Sequence, residues 1–199
     1  MSEGHYFAAD PAVASRPGHV DLVLPDFRAR LLSDRGVFSA GAVDPGTVHL
    51  LRAVPTGAVT GQLLDLGCGY GPIACTLAHR SPAATVWAVD VNERALALTA
   101  ANAEALGQPN VRVTRPENIP PGLTFDGIWS NPPIRIGKAA LHDLLGSWLS
   151  RLNPSAPAWL VVHRHLGADS LASWLAEEGW TVVRVGSKSG YRILRVHRP

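Results

Sequence analysis

Three glycines sit at alternate positions in Asp65-Leu-Gly67-Cys-Gly69-Tyr-Gly71, directly after a short apolar run at 62–66. Glycines so closely spaced accept left-handed turns and leave backbone bare for a close approach. Pro72 follows, at a place where the first turn of a helix tolerates proline. A strand that passes through such a loop into a helix is a ligand-binding arrangement, with the ligand beyond the carboxyl ends of the strands. In the dinucleotide fingerprint GxGxxG, counted from Gly67, the third glycine would fall at position 72, which is Pro72 here. The spacing is DxGxGxG instead. That argues against a nicotinamide-dependent oxidoreductase, which stands as the rival from another class.

The remaining chain repeats the strand–helix alternation. Residues 84–89 and 158–162 are continuous apolar runs of the kind buried on both faces of a sheet. Shorter strands are expected at 111–113 and 125–129. Helices are expected from 72 to about 79, from an Asn92 cap to Gly107, at 139–152, and from an Asp169 or Ser170 cap to Gly179. Strands at 180–185 and 191–196 are joined only by 186–190, too short for a crossover helix, so the final strand should run antiparallel. Ahead of this core, 20–24 and 27–32 alternate around Pro25-Asp26 and read as an antiparallel ribbon. A short strand is expected at 37–39, and Asp44-Pro45-Gly46 opens a helix to about Ala53. The expected fold is therefore α/β: a Rossmann-like, doubly wound, mostly parallel seven-stranded sheet with an antiparallel last strand and a small N-terminal ribbon. Residues 1–199 are expected to form one domain, with 1–60 an extension and 61–199 the core.

Composition narrows the class. Apolar residues make up 46% and charged residues 17%, which is globular and not disordered. A net charge of +2 excludes a polycationic tail. Two cysteines, Cys68 and Cys75, and eight histidines show no ligand spacing, so no metal is expected. The cysteines read as buried fillers, and His163 and His165 as structural. No stretch approaches about 18 apolar residues, so no membrane span is expected. Residues 1–7 lack a basic start and apolar run, so a cytoplasmic protein is expected. The sequence leaves the oligomeric state open.

Two further segments bring chemistry to the same end of the sheet. Asp90 closes the second core strand, about 20 residues beyond the glycines, where an acid accepts hydrogen bonds from ribose hydroxyls; it also has the option of supporting the Asn92 cap. Arg115-Pro-Glu-Asn118 lies after the third strand, either near an adenine ring or as a polar turn. Asn131-Pro132-Pro133-Ile134 ends the fourth strand. Two prolines fix the backbone and remove two donors, leaving carbonyl oxygens to face a ligand. The Asn131 side-chain oxygen and the Pro132 carbonyl can then accept both hydrogens of one exocyclic NH2, drawing its lone pair out of conjugation. Positioning and electrostatics suffice for such chemistry, because the proton can leave after transfer.

Together these residues resemble the class I S-adenosylmethionine-dependent methyltransferases, in the amino-methylating branch with an (N/D)PP(F/Y/W) tetrapeptide. Gly36-Val-Phe-Ser39, Asp44-Pro-Gly-Thr47, the glycine loop and Ser130–Lys138 are similar to the methyltransferase small domain family, which includes ribosomal RNA small-subunit guanine-N2 methyltransferases. The resemblance runs from about His5 to Val196. It implies S-adenosyl-L-methionine as cofactor, held by Asp65, Gly67, Cys68, Gly69, Gly71, Asp90, Val91, Asn118, Thr47 and Asn131. It implies Asn131, Pro132, Pro133 and Ile134 at the target amine, with Asp44–Thr47 closing the cofactor pocket and Phe38, Arg135 and Lys138 near the substrate. The implied substrate is ribosomal RNA or the small subunit, most closely a guanine N2 of 16S RNA. Adenine N6 and a protein glutamine amide are alternative acceptors, and a non-catalytic RNA-binding scaffold is a further rival. Ile134 departs from the aromatic pattern; an aliphatic side chain covers a base without stacking on it. Some relatives carry an extra N-terminal domain that these 199 residues do not contain. RNA contacts are then expected from Arg28, Arg30, Arg135, Lys138, Lys188 and Arg192.

Overall fold

Strand alternation sorts the apolar residues of this chain into two cores, one on each face of a central sheet. The computed structural model describes residues 13–199. The reading of residues 1–7 and the start of the resemblance near His5 lie outside the described residues. Strands β1 (Gly18–Val23) and β2 (Arg28–Ser33) pair antiparallel as a separate ribbon. Then follow α1 (Pro45–Ala53), β3 (Gly61–Leu66), α2 (Pro72–Arg80), β4 (Ala84–Val89), α3 (Glu93–Ala105) and β5 (Val111–Thr114). The chain continues through β6 (Gly127–Ser130), α4 (Lys138–Leu149), β7 (Ala158–His163), α5 (Ala168–Glu177), β8 (Thr181–Lys188) and β9 (Tyr191–His197). The sheet order is β5-β4-β3-β6-β7-β9-β8, parallel except for β9, which is antiparallel to both neighbours. The expected fold class is thus the observed one.

Period two in the strands decides which core each residue joins. Leu63, Val86 and Val161 face a cluster shared with α1, α2, α3 and the ribbon. Leu64, Val89 and Leu160 face the other, shared with α4 and α5. The ribbon is welded to the first face. Val20, Leu22, Ala29 and Leu31 are buried there, while Arg28 and Arg30 point outward. Asn102 of α3 accepts from Leu32 N–H at 2.7 Å and donates to Leu32 O at 2.9 Å, adding a two-way backbone clasp. Arg80, nearly fully buried, makes a forked pair with Asp26 (2.7 and 2.9 Å) and donates to Leu51 O.

Several local expectations need correction. Residues 37–39 form turns, not a strand, because Gly36 (φ 82°) and Ser39 (φ 56°) take left-handed backbone. Helix α5 starts at Ala168 behind Gly167, so Asp169 lies in its first turn and neither Asp169 nor Ser170 caps it. Helix α4 spans Lys138–Leu149, one residue earlier at its start and three shorter at its end than expected. Strand β6 begins at Gly127; Phe125 makes only an isolated bridge with Leu152. The last hairpin turns at Ser189-Gly190 alone, both with positive φ, and β8 runs on to Lys188 through a bulge between Arg184 and Gly186.

Candidate active site

β3 lies at the middle of the sheet, and the chain order reverses between β3 and β6, so a crevice opens at their carboxyl ends. The glycine loop leaves β3 there and is pinned from β4. Gly67 and Cys68 both donate to Val89 O, at 2.8 and 3.0 Å. The Asp90 carboxylate receives Gly69 N–H on one oxygen (2.9 Å) and Asn92 N–H on the other (3.0 Å). Asp90 thus ties the loop to the start of α3, which Asn92 caps through Arg94 and Ala95 N–H. Burial pushes its carboxyl above the ordinary range, opposed by those backbone donors. A carboxylate has four lone pairs, so the backbone donors of Gly69, Val91 and Asn92 still leave room for a further donor.

The three glycines divide their tasks. At Gly67 (φ +78°) and Gly69 (φ +57°) a Cβ would meet nothing within 4 Å, so their bare backbone faces open space. At Gly71 (φ +91°) a Cβ would lie 3.0 Å from the Thr99 side chain, so this glycine serves close packing on α3.

Asp65 ends in the interior. One oxygen accepts Ala74 N–H at 2.8 Å; the other has no partner among the described residues. Burial pushes its carboxyl from 3.8 up to about 8, with the neighbouring Asp90 adding to the rise. The sign for stability follows. The folded chain holds a proton that the unfolded chain releases near pH 3.8, so stability falls as pH rises from there to about 8. Asp65→Asn keeps the acceptor for Ala74. It is expected to reduce the fall in melting temperature between about pH 5 and about pH 8 by roughly half or more, as scanning calorimetry of the free protein reads; an unchanged fall would place the proton elsewhere.

Asn131 reaches the same crevice because the Ser130 hydroxyl donates to Leu66 O at 2.7 Å, stapling the end of β6 to the end of β3. Its side-chain NH2 donates to Asp44 Oδ1 (2.9 Å) and Thr47 Oγ1 (3.1 Å) at the start of α1. Its Oδ1 accepts no bond among the described residues. Pro133 (φ −75°, ψ 72°) is the centre of an inverse γ-turn in which Ile134 N–H donates to Pro132 O at 2.8 Å. That uses one lone pair of the Pro132 carbonyl and leaves the other. Phe38, Ser39, Asp44, Thr47, Gly67, Cys68, Gly69 and Asn131 line one cleft. The turn carrying Phe38, an exposed aromatic, is held by the Tyr70 hydroxyl, which bonds Ala42 O at 3.3 Å.

Other expected site residues are placed differently. Ile134 packs partly buried against the second core. Val91 and Asn118 are exposed, beside the ends of β4 and β5. Arg115 pairs with Glu117 (2.5 Å) and with Glu93 of α3, so 115–118 is at least an ion-paired clasp. Arg192 is ion-paired with Asp169 at 2.9 Å. Arg28, Arg30, Arg135, Lys138 and Lys188 are exposed. Cys68 and Cys75 are free and buried, which raises both thiols. Among the described residues no cluster could hold a metal, and no helix is long and apolar enough to cross a membrane. Sequence reasoning gave Asp44 only a capping and pocket-closing place; its bond to Asn131 spans 87 positions and has no local signal.

Comparison with known proteins agrees with this geometry. Residues 28–195 match the family model described as methyltransferase small domain. The uncharacterized protein YbxB of Bacillus subtilis (strain 168) is 36% identical over the whole of both chains. The ribosomal RNA small subunit methyltransferase C of Shewanella sp. (strain MR-4) is 34% identical over 143 residues, which are 69% of this chain and 41% of that protein. The structure of the T. thermophilus 16S rRNA N2 G1207 methyltransferase (RsmC), solved with AdoMet and guanosine, superposes with a TM-score of 0.80 at 25% identity. It covers 95% of this chain and 52% of that one, so the chain spans about half the length of that enzyme.

Proposed function

Since the chain belongs to the methyltransferase small domain family and is an S-adenosylmethionine-dependent methyltransferase, we propose that it methylates the exocyclic N2 amine of a guanine in small-subunit ribosomal RNA. The observation that carries this reading is the Asn131 carbonyl oxygen, without a partner among the described residues, in one cleft with the bare backbone of Gly67 and Gly69. A relative named as a ribosomal RNA small subunit methyltransferase supports the choice of RNA, and a neighbouring structure named as a 16S rRNA N2 G1207 methyltransferase supports the choice of guanine. The ribbon and the core act as one catalytic unit.

The residues fit the cofactor. Gly67 and Gly69 offer a cradle that any Cβ would fill, and Asp90 has room to spare for a ribose hydroxyl. Cys68, Thr47, Val91 and Asn118 complete the proposed surround, while Gly71 and the interior Asp65 shape the loop from behind it. When bound, S-adenosylmethionine would supply an electrophilic methyl carbon with a neutral thioether as leaving group. The chain's part is to prepare that nitrogen. Asn131 Oδ1 accepts one N–H and Pro132 O the other, which draws the nitrogen toward tetrahedral geometry and its lone pair out of conjugation with the ring. The extra proton then leaves to water, so no strong base is needed. Phe38 covers the base, and Arg135 and Lys138 meet RNA phosphates at the rim, which makes binding salt-sensitive.

Purified protein is expected to transfer labelled methyl from S-adenosylmethionine to small subunits taken from cells lacking the protein, and nucleoside mass mapping should find N2-methylguanosine. Label on adenine N6 or on a protein glutamine would replace the substrate. No transfer, with cofactor bound, would overturn the RNA assignment.

A further inference from the structure

An asparagine side chain has two ends of nearly equal shape, and only the carbonyl end can accept a hydrogen bond from an amine. Something must therefore fix which end of Asn131 faces the cleft. Three residues remote in sequence meet behind it. Asp44 Oδ1 accepts from Asn131 Nδ2 (2.9 Å) and from Thr47 N–H (3.0 Å). Thr47 Oγ1 accepts the other amide hydrogen at 3.1 Å. The Tyr191 hydroxyl, at the start of β9, donates to Asp44 Oδ2 at 3.2 Å. We propose that Asp44, with Thr47 and Tyr191 behind it, is a positioning clamp that forces the Asn131 carbonyl oxygen toward the substrate amine.

A carboxylate only accepts, so a flipped Asn131 would set its carbonyl oxygen against Asp44 Oδ1 and leave a donor, not an acceptor, at the cleft. Both lone pairs of Asp44 Oδ1 are taken by the chain itself. The clamp is built closely. A Cβ on Gly46 would lie 2.4 Å from the Tyr191 ring, so only glycine lets that ring reach Asp44. His163 meets the same ring edge-on, with centroids 4.9 Å apart. Asp44 also caps α1, and a purely structural role would end there.

The inference rests on the reading that Asn131 holds the amine, and its test separates the two. Asp44→Ser keeps the cap, because serine accepts the Thr47 N–H about as well as aspartate, but its short oxygen cannot reach Asn131 or Tyr191. Turnover by Asp44→Ser is expected to fall about 100-fold in kcat, with cofactor affinity within about threefold and melting temperature close to wild type. Asp44→Asn, which retains an oxygen of the right reach, should recover to within about tenfold of wild type. The side-chain amide resonances of Asn131, assigned by their loss in Asn131→Ala, should move in Asp44→Ser and in Tyr191→Phe. Wild-type turnover by Asp44→Ser, with Asn131→Ala inactive, would overturn the clamp and leave the amine reading intact. An active Asn131→Ala would overturn the amine reading itself. Unmoved amide resonances, or a fall in kcat matched by equal losses of cofactor affinity and stability, would reduce Asp44 to a helix cap.

Discussion

Asn131→Ala is expected to lower kcat by about 10²- to 10³-fold while leaving cofactor affinity nearly unchanged. The asymmetry comes from the geometry. The side-chain oxygen faces the proposed amine position, whereas the loop proposed to cradle the cofactor is pinned by Val89 O and Asp90, to which Asn131 makes no hydrogen bond among the described residues. Truncation removes an acceptor that matters most when the amine is distorted toward the transition state, so the loss appears in kcat more than in KM. The fold tolerates the change, because Asn131 is half-buried and Ser130 still anchors β6 to Leu66 O. Calorimetric titration with S-adenosylmethionine beside a methyl-transfer assay reads both quantities. Turnover within a few-fold of wild type would show that the amine is held elsewhere.

The converse is expected of Asp90→Ala: cofactor affinity falls about 100-fold or more. Two effects add. The carboxylate receives both Gly69 N–H and Asn92 N–H, so its loss frees the loop from the start of α3 and leaves two amides without their acceptor. It also removes the acceptor proposed for the ribose. Asp90→Asn separates them. Its single oxygen can keep the Gly69 bond but not the Asn92 bond as well, and its NH2 cannot accept, so an intermediate loss is expected. Unchanged binding in Asp90→Ala would remove this residue from the cofactor site.

What could be read from the sequence was set by local chemistry. The sheet was legible because apolar runs and helix stripes have fixed periods, and because five residues between the last two strands cannot house a crossover helix. The glycine loop, Asp90 and Asn131 were legible because strand ends place them at one edge of a parallel sheet. The errors lie where backbone conformation outweighed residue type. Val37 to Ser39 has strand-forming residues, yet left-handed Gly36 and Ser39 coil it into turns. Gly167 took the start of α5 from the better capping residues Asp169 and Ser170. Partnership across the chain was not legible at all. Nothing near Arg192 announces its ion pair with Asp169, and nothing near Asp44 announces Asn131 or Tyr191.

The site's dependence on Tyr191 also bears on how the protein is made. The Tyr191–Asp44 contact links positions 147 apart, and β9 must slot between β7 and β8 before it can form. Contacts of such long range form late and slowly, since the intervening chain must first be ordered. Until β9 is in place, the ribbon, the first α/β units and the glycine loop lack the residue that braces Asp44. The brace on Asp44 therefore arrives only with the final strand, and the topology ties the completion of this corner of the cleft to the completion of the sheet.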